Sequence, residues 1–258
     1  MITKLLKGIA PAAALAMGAM VTGCSGMNIT INDEDGVPLS ELDLSGAAPD
    51  ELVLASPDSV VITQGDALTI NVEGDDDVTE AMRFTLDEDT IGIMRKPDFD
   101  GDGRVATVRV TMPSPKSLVM AGSGNIAAQT MAEQSDITIA GSGRIDVASL
   151  SASKLDLNVM GSGQVGAAGT LSNLELNIAG SGQAQLDELT IETADITIAG
   201  SGSGAFASDG EVDATIMGSG NVTVYGRATC SVNAMGSGKL TCKPAEPEAK
   251  TDQEASDE

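Results

Sequence analysis

From Asp136 onward, apolar and polar positions alternate with a period of two, and one triplet interrupts the alternation at nearly fixed intervals. Before the triplet come segments such as Asp136-Ile-Thr-Ile-Ala, Asp156-Leu-Asn-Val-Met, Glu175-Leu-Asn-Ile-Ala and Asp195-Ile-Thr-Ile-Ala. After it come Arg144-Ile-Asp-Val, Gln164-Val-Gly-Ala and Asn221-Val-Thr-Val. Period two on both flanks predicts strand, corner, strand, and no stretch shows the period near 3.6 that a helical repeat requires.

The triplet is Gly-Ser-Gly, and it occurs seven times: Gly122-Ser123-Gly124, Gly141-Ser142-Gly143, Gly161-Ser162-Gly163, Gly180-Ser181-Gly182, Gly200-Ser201-Gly202, Gly218-Ser219-Gly220 and Gly236-Ser237-Gly238. Successive copies are 19, 20, 19, 20, 18 and 18 residues apart. Self-similarity on that scale is the mark of a solenoid, and a coil this short has no room for a strand and a helix with two turns. Glycine suits the corner because it reaches positive φ and lets the backbone of neighbouring coils approach closely. Stacking would set the seven serines in a column about 4.8 Å apart, with hydroxyls free to bond along it or to nearby backbone. Counting from each Ser, parity places the inward residues five and three before it and three and five after it. In the second copy these are Ile137, Ile139, Ile145 and Val147; in the third, Leu157, Val159, Val165 and Ala167. All are apolar, as a filled interior demands.

Ahead of the repeats, further alternating stretches read as strands: Glu51-Leu-Val-Leu-Ala, Ser59-Val-Val-Ile-Thr, Ala67-Leu-Thr-Ile-Asn-Val, Thr90-Ile-Gly-Ile-Met and Ala106-Thr-Val-Arg-Val-Thr-Met. Gln64-Gly65-Asp66 reads as a hairpin-type break. Asp75 to Met82 fits a single helical turn with Asp75–Asp77 as caps.

The chain divides by composition into five parts. Residues 1–23 form a leader, with Lys4 and Lys7 ahead of a short apolar run from Ile9 to Val21 that is too brief to span a bilayer. It closes on Val21-Thr22-Gly23-Cys24, which resembles the bacterial lipobox; the resemblance implies that Cys24 is lipidated, and Ser25 after it points to the outer membrane. The alternative is an ordinary secretory signal. Residues 24–44 read as a flexible tether, 45–118 as a strand-rich part, 119–243 as the repeats, and 244–258 as a disordered acidic tail.

Composition narrows the chemistry. Only 2% of residues are aromatic, with no Trp, so the core falls to Val, Ile, Leu, Met and Ala, which suits a narrow, layered interior. The formal charge of −24 argues against nucleic acid as a partner, since phosphate binding needs a basic face. There is no histidine. That removes the commonest general base and transition-metal ligand, and leaves any corner serine without a triad partner.

Three constellations remain. Cys230 and Cys242 lie seven before and five after Ser237, on inward parity, in a compartment where disulfides persist; a bridge tying off the last coil is expected, with two buried thiols as the alternative. Asp98, Asp100 and Asp102, with Gly103 and Val105, match the first half of a calcium loop, but Arg109 stands where a bidentate Glu belongs and the flanks read as strands. An acidic hairpin loop is the preferred reading, calcium the alternative. Asp136, Asp156, Glu175 and Asp195 share solvent parity and read as a solvated face, with an acidic stripe as the alternative.

An N-terminal lipobox, a strand-rich segment with a Gln-Gly-Asp break, and repeated aliphatic–x–Gly–Ser–Gly–x–aliphatic units together resemble the head GIN domain family of auto-transporter adhesins over roughly residues 45–243. The resemblance implies a parallel β-helix and carries over no catalytic residues. The expected fold is therefore all-β: a right-handed parallel β-helix of about seven coils, with N-terminal strands capping one end and the Cys pair, Pro244 and the acidic tail protecting the other. The expected function is a non-catalytic, lipid-anchored envelope protein of adhesin-like or scaffolding role, without a cofactor. The alternative is an envelope module that binds a cation or a polysaccharide.

Overall fold

The computed structural model describes residues 36–99 and 101–244. The leader, Cys24, most of the tether, Asp100 and residues 245–258 lie outside the described residues.

In chain order the N-terminal part comprises β1 (Glu51–Ala55), β2 (Ser59–Gln64), β3 (Thr69–Glu73), the short helix α1 (Asp76–Ala81), β4 (Met82–Leu86), β5 (Thr90–Arg95) and β6 (Thr107–Met112). The repeats supply β7 (Ser117–Gly122), β8 (Asn125–Ala128), β9 (Gln134–Gly141), β10 (Arg144–Gly161), β11 (Gln164–Gly180), β12 (Gln183–Gly200), β13 (Ser203–Gly218), β14 (Asn221–Tyr225), β15 (Thr229–Gly236) and β16 (Lys239–Lys243). All join one continuous sheet wound into a β-solenoid. β10 to β13 each run from one triplet to the next, bending around the interior between them.

The triplets line up. Gly122 pairs with Gly141, Gly141 with Gly161, Gly161 with Gly180, Gly180 with Gly200, Gly200 with Gly218, and Gly218 with Gly236, all in parallel register. Two glycines in one corner are needed for different reasons. Gly161 has φ +120°, and a Cβ there would lie 2.5 Å from the carbonyl oxygen of Gly141 in the coil before. Gly163 points inward, and its Cβ would lie 2.5 Å from Ile139 Cγ2. The tight stacking is held through the backbone: Ser162 N donates to Gly141 O at 2.9 Å, and Gln164 N to Gly143 O at 3.0 Å.

Parity gives the core. Ile137, Ile139, Ile145, Val147, Leu157, Val159, Val165 and Ala167 are all buried. They form vertical aliphatic columns, for example Ile137–Leu157–Leu176–Ile196–Ala214. Aromatics nonetheless enter this core: Phe84 and Phe206 are among its most completely buried side chains. Phe206 lies in the coil where the preceding inward position is Gly204, against which Leu176 Cδ2 packs from the column beside it.

The unequal coil lengths are absorbed mainly in one region, with one further slip between Ile191 and Thr193 in the β12–β13 pair. Register shifts fall between Val147 and Leu150, Gly166 and Gly169, and Leu186 and Thr190, on the side of the coil away from the triplet. The glycine corner itself never slips.

The N-terminal strands do more than cap. β1 and β2 form a coil directly beneath β7 and β8, with Glu51 opposite Ser117 and Ser59 opposite Asn125 in parallel register. β5 and β6 form another coil on the far side of β1 and β2, so coil order departs from sequence order here. The plug is antiparallel: β3 on β6, and β4 on β5, with Val37 bridging Phe84 beyond it. Because β6 lies between β2 and β3, Gln64-Gly65-Asp66 is not a hairpin turn but a crossing over an inserted strand. The acidic loop after β5 is not a hairpin either, since β5 and β6 are two sides of one coil and the loop is its corner. α1 does form, but Asp75 caps it without a side-chain hydrogen bond; Thr79 Oγ1 bonds to Asp76 O instead.

Candidate functional site

Sheet register turns sequence positions into vertical ladders on the outer surface. Six residues before each serine, Asp136, Asp156, Glu175, Asp195 and Asp213 fall on successive coils, preceded by Glu51 and Ser117. The solvent-parity acids are therefore one contiguous acidic stripe. Lys154 is set into it, with Nζ 2.8 Å from Asp156 and 3.9 Å from Glu175. Partial burial pushes the Asp136 carboxyl above its ordinary range; a hydrogen bond from Ser117 Oγ opposes the shift and the Asp156 charge adds to it. Glu51 is raised for the same leading reason, desolvation, reinforced by Asp136. Two positions along, Thr138, Asn158, Asn177, Thr197 and Thr215 make an uncharged polar ladder in which Asn177 Nδ2 donates to Asn158 Oδ1 at 3.2 Å. Next to the corner, Ala140, Met160, Ala179, Ala199 and Met217 make an apolar one, with Met160 and Met217 exposed. Seven exposed serines follow it. In six of them, Ser142 to Ser237, the backbone N–H donates to a glycine carbonyl of the preceding coil.

On the other side of the corner, Asn125, Arg144, Gln164, Gln183, Ser203, Asn221 and Lys239 stack as a second polar ladder. Here the surface dips into a groove of about 430 Å³. Its floor is small residues, among them Ala127, Gly166 and Ala168, and its far wall is Asp187 and Glu188. Arg144 and Asp146 form its centre. Arg144 Nε donates to Asp146 Oδ2 at 2.6 Å and Nη2 to Oδ1 at 2.7 Å, while Nη1 reaches Gln164 Oε1 at 2.9 Å. Gly166 is what leaves room: a Cβ there would lie 2.5 Å from Asp146 Oδ1. The forked guanidinium, a carboxylate and two amides of Gln164 and Gln185 thus meet over an alanine floor, the kind of set that reads hydroxyls and planar polar groups. Sequence reading missed this groove. The available signal was the spacing: the extra residues of the twenty-residue repeats bulge out beside it, at Ala148 and at Asp187–Glu188.

A second missed feature is the corner of the β1–β2 coil, where Ser56-Pro57-Asp58 replaces the triplet. The Asp58 side chain is fully buried and takes a bidentate pair from Arg95, at 2.9 Å from Nε and 2.6 Å from Nη2. Ala106 N also donates to Asp58 Oδ1 at 2.7 Å. The pair stitches this corner to that of the β5–β6 coil.

The predicted site residues fall as follows. Cys230 and Cys242 are joined by a disulfide across the last coil, with Cα atoms 6.8 Å apart. Asp98 and Asp102 lie in the β5–β6 corner, both with positive φ, and Asp100 is outside the described residues. Among the described residues no three acids, cysteines or histidines are grouped to hold a metal ion. Among them, too, no helix is long and apolar enough to cross a membrane.

Residues 48–228 match the family model described as "Putative auto-transporter adhesin, head GIN domain". Solved structures share the fold at low identity. A protein from Bacteroides fragilis described as a "putative adhesin" is 20% identical with TM-score 0.66, over 76% of this chain and 92% of that one. A "putative lipid binding protein" from Parabacteroides distasonis is 22% identical with TM-score 0.61, over 78% and 94%. A "putative adhesin" from Parabacteroides merdae is 15% identical with TM-score 0.60, over 77% and 92%. No curated protein matches the chain.

Proposed function

We propose that this chain, which belongs to the head GIN domain family, is a non-catalytic adhesin-like protein of the bacterial envelope, held there by a lipid on Cys24, that binds a polysaccharide along its side-chain ladders. The observation that carries the reading is the Arg144 groove, set in a ladder of amide and hydroxyl side chains that repeats at the coil spacing. A polymer with its own repeat meets equivalent donors and acceptors on coil after coil, so modest contacts add along its length. The lack of histidine in the whole sequence and the exposure of every corner serine support a binding rather than a turnover role. The lipid-binding description of one neighbour is not carried over, because the described interior is packed with side chains.

The test is retention of the chain, beginning at Ser25, on a panel of neutral and acidic bacterial polysaccharides, compared with Arg144→Ala. Hydrogen bonds to a charged group contribute roughly 1.5–3 kcal/mol, so the variant should bind about tenfold more weakly or worse. Equal retention of both proteins, or release of shortened glycan by the native chain, refutes the reading. The register that stacks Asp136, Asp156, Glu175, Asp195 and Asp213 on successive coils favours a second reading, a cation on the acidic stripe. Calorimetry with calcium decides it, with Asp136→Asn for the stripe and Asp100→Ala for the loop, and absence of heat dismisses it.

A further inference from the structure

The two walls of the Arg144 groove differ in how far their polar groups are already satisfied. On the ladder wall, Asp146 takes both Nε and Nη2 of Arg144, and Nη1 turns to the amide oxygens of Gln164 and Gln185 at 2.9 and 3.4 Å. The guanidinium's charge is offset and most of its donors are used, so this wall offers amides, a shared carboxylate and little room for an anion. On the far wall, Asp187 and Glu188 are exposed, and the ion pairs of the described residues leave both unmatched. They are not loose. Leu186 and Leu189 on either side of them are fully buried, and the register slip between Leu186 and Thr190 makes the two acids stand out between anchored points. Between the walls the floor of Ala127, Gly166 and Ala168 carries no polar side chain. The lining as a whole sets three carboxylates against one guanidinium, so an anionic glycan would meet like charge there.

We infer that the groove takes a glycan with a free amine, an amino sugar whose nitrogen is not acylated. The inference rests on the polysaccharide reading above and adds the charge of the sugar to it. Such a sugar has three kinds of surface, and the groove has a counterpart for each. Its C–H face lies on the alanine floor, its hydroxyls meet Asp146 and Gln185, and its ammonium lies against Asp187 and Glu188. Other cations fit less of the groove. Among the described residues no three acids are grouped to hold a metal ion, so the carboxylates do not converge on one point. A basic peptide would match the far wall and leave the amides and carboxylate of the ladder wall without hydroxyl partners. The volume of about 430 Å³ falls within the roughly 300–1,000 Å³ of small-ligand sites, enough for a short stretch of the polymer.

The experiment is calorimetry on the chain from Ser25 with chitosan, chitin and cellulose oligosaccharides of equal length. These share one backbone and carry at the same carbon an ammonium, an acetamide or a hydroxyl. The buffer is at about pH 6, where carboxylates are ionised and the sugar amine is protonated. Ionic strength is about 0.15 M, where charges beyond roughly 8 Å are screened and the acidic chain does not gather cations from a distance. Exposed ion pairs contribute little each, so two of them should favour the chitosan over the cellulose oligosaccharide on the order of fivefold. Asp187→Asn with Glu188→Gln should remove that preference and leave cellulose binding and the melting midpoint unchanged, because both side chains are exposed. Asp195→Asn with Asp213→Asn takes the same charge from the acidic stripe and should leave the preference in place. Arg144→Ala should weaken both oligosaccharides. Equal binding of all three, weakened by Arg144→Ala, overturns the amine and keeps the polysaccharide reading; failure of every polysaccharide on the panel above strikes the reading itself. A preference that survives Asp187→Asn with Glu188→Gln, or falls as far in the stripe variant, overturns the inference as general attraction to an acidic chain. So does oligolysine that displaces the chitosan oligosaccharide as readily as free glycan does, or an absence of chitosan binding.

Discussion

Substitution of Gly161 by Ala separates a stacked glycine corner from a merely flexible one. The residue sits at φ +120°, a region that costs an L-residue on the order of 1–3 kcal/mol. The added methyl also has no place to go: it would stand 2.5 Å from Gly141 O, and that oxygen is fixed because Ser162 N donates to it at 2.9 Å. Forcing extra volume into packed structure costs typically 1–3 kcal/mol more. The two terms act on the same backbone and give about 2–6 kcal/mol together. Ser162→Ala is the internal control, since that side chain is exposed and its coil-to-coil bond runs through its N–H, so the change should stay within about 0.5 kcal/mol. In a solenoid each coil contacts only its neighbours, and a local loss need not lower a single global transition. The assay is therefore native-state hydrogen exchange alongside urea melting. Protection should fall most for the amides of Ser162 and Ser181, whose acceptors belong to coils touching the substitution, and least at β1 and β2. Uniform loss of protection, or a Gly161→Ala protein no less stable than Ser162→Ala, would falsify the stacked corner as the element that sets coil spacing.

Two further outcomes follow from charge. Asp58→Ala should destabilise by roughly 3–5 kcal/mol, as removal of one partner of a buried ion pair does, because Arg95 would keep its charge at 7% side-chain exposure with only Arg104 O and the Phe99 ring nearby; urea melting checks it, and a loss under 1 kcal/mol would mean that water reaches the pair. For the acidic stripe, the Asp136 carboxyl holds its proton more tightly in the folded chain than at its ordinary value of 3.8, so the folded state binds more protons and stability falls as pH rises through the interval above 3.8. Asp136→Asn should therefore melt higher than the native chain at neutral pH, with the difference vanishing on acidification; a difference that grows towards low pH contradicts the sign.

How much of this was legible depends on whether a feature repeats. The triplet spacing and the parity of Ile137, Ile139, Leu157 and Val159 give strands, corner and core, because every coil solves the same packing problem with the same residue pattern. Phe206 escaped that logic: a single coil trades Gly204 for a ring two positions on, and composition sees only the chain-wide scarcity of aromatics. The acidic stripe was half legible. Parity put Asp136, Asp156, Glu175 and Asp195 on the solvent side, but only an unslipped register from these positions to the corner makes them adjacent, and every slip turns out to fall ahead of them, the nearest between Ile191 and Thr193.

The N-terminal part shows where local pattern stops being informative. Five of its six strands were found, β4 (Met82–Leu86) being missed, and their order could not be read, because β1 and β2 accept neighbours on both edges from residues far along the chain: Glu51 lies between Thr90 on one side and Ser117 on the other. Alternation fixes which face of a strand is buried and says nothing about which strand lies beside it. The same blindness hid Asp58 and Arg95, thirty-seven residues apart, since a buried ion pair has no periodicity to betray it. The two missed features share one cause. Where a coil lacks the glycine corner, the chain must hold adjacent coils together by specific polar chemistry, and where a coil carries an extra residue, the surplus is pushed out and leaves a groove beside it. In a repeat protein the departures from the repeat are therefore the places to look for chemistry, and here they lead to the Arg95–Asp58 stitch and to the Arg144 groove.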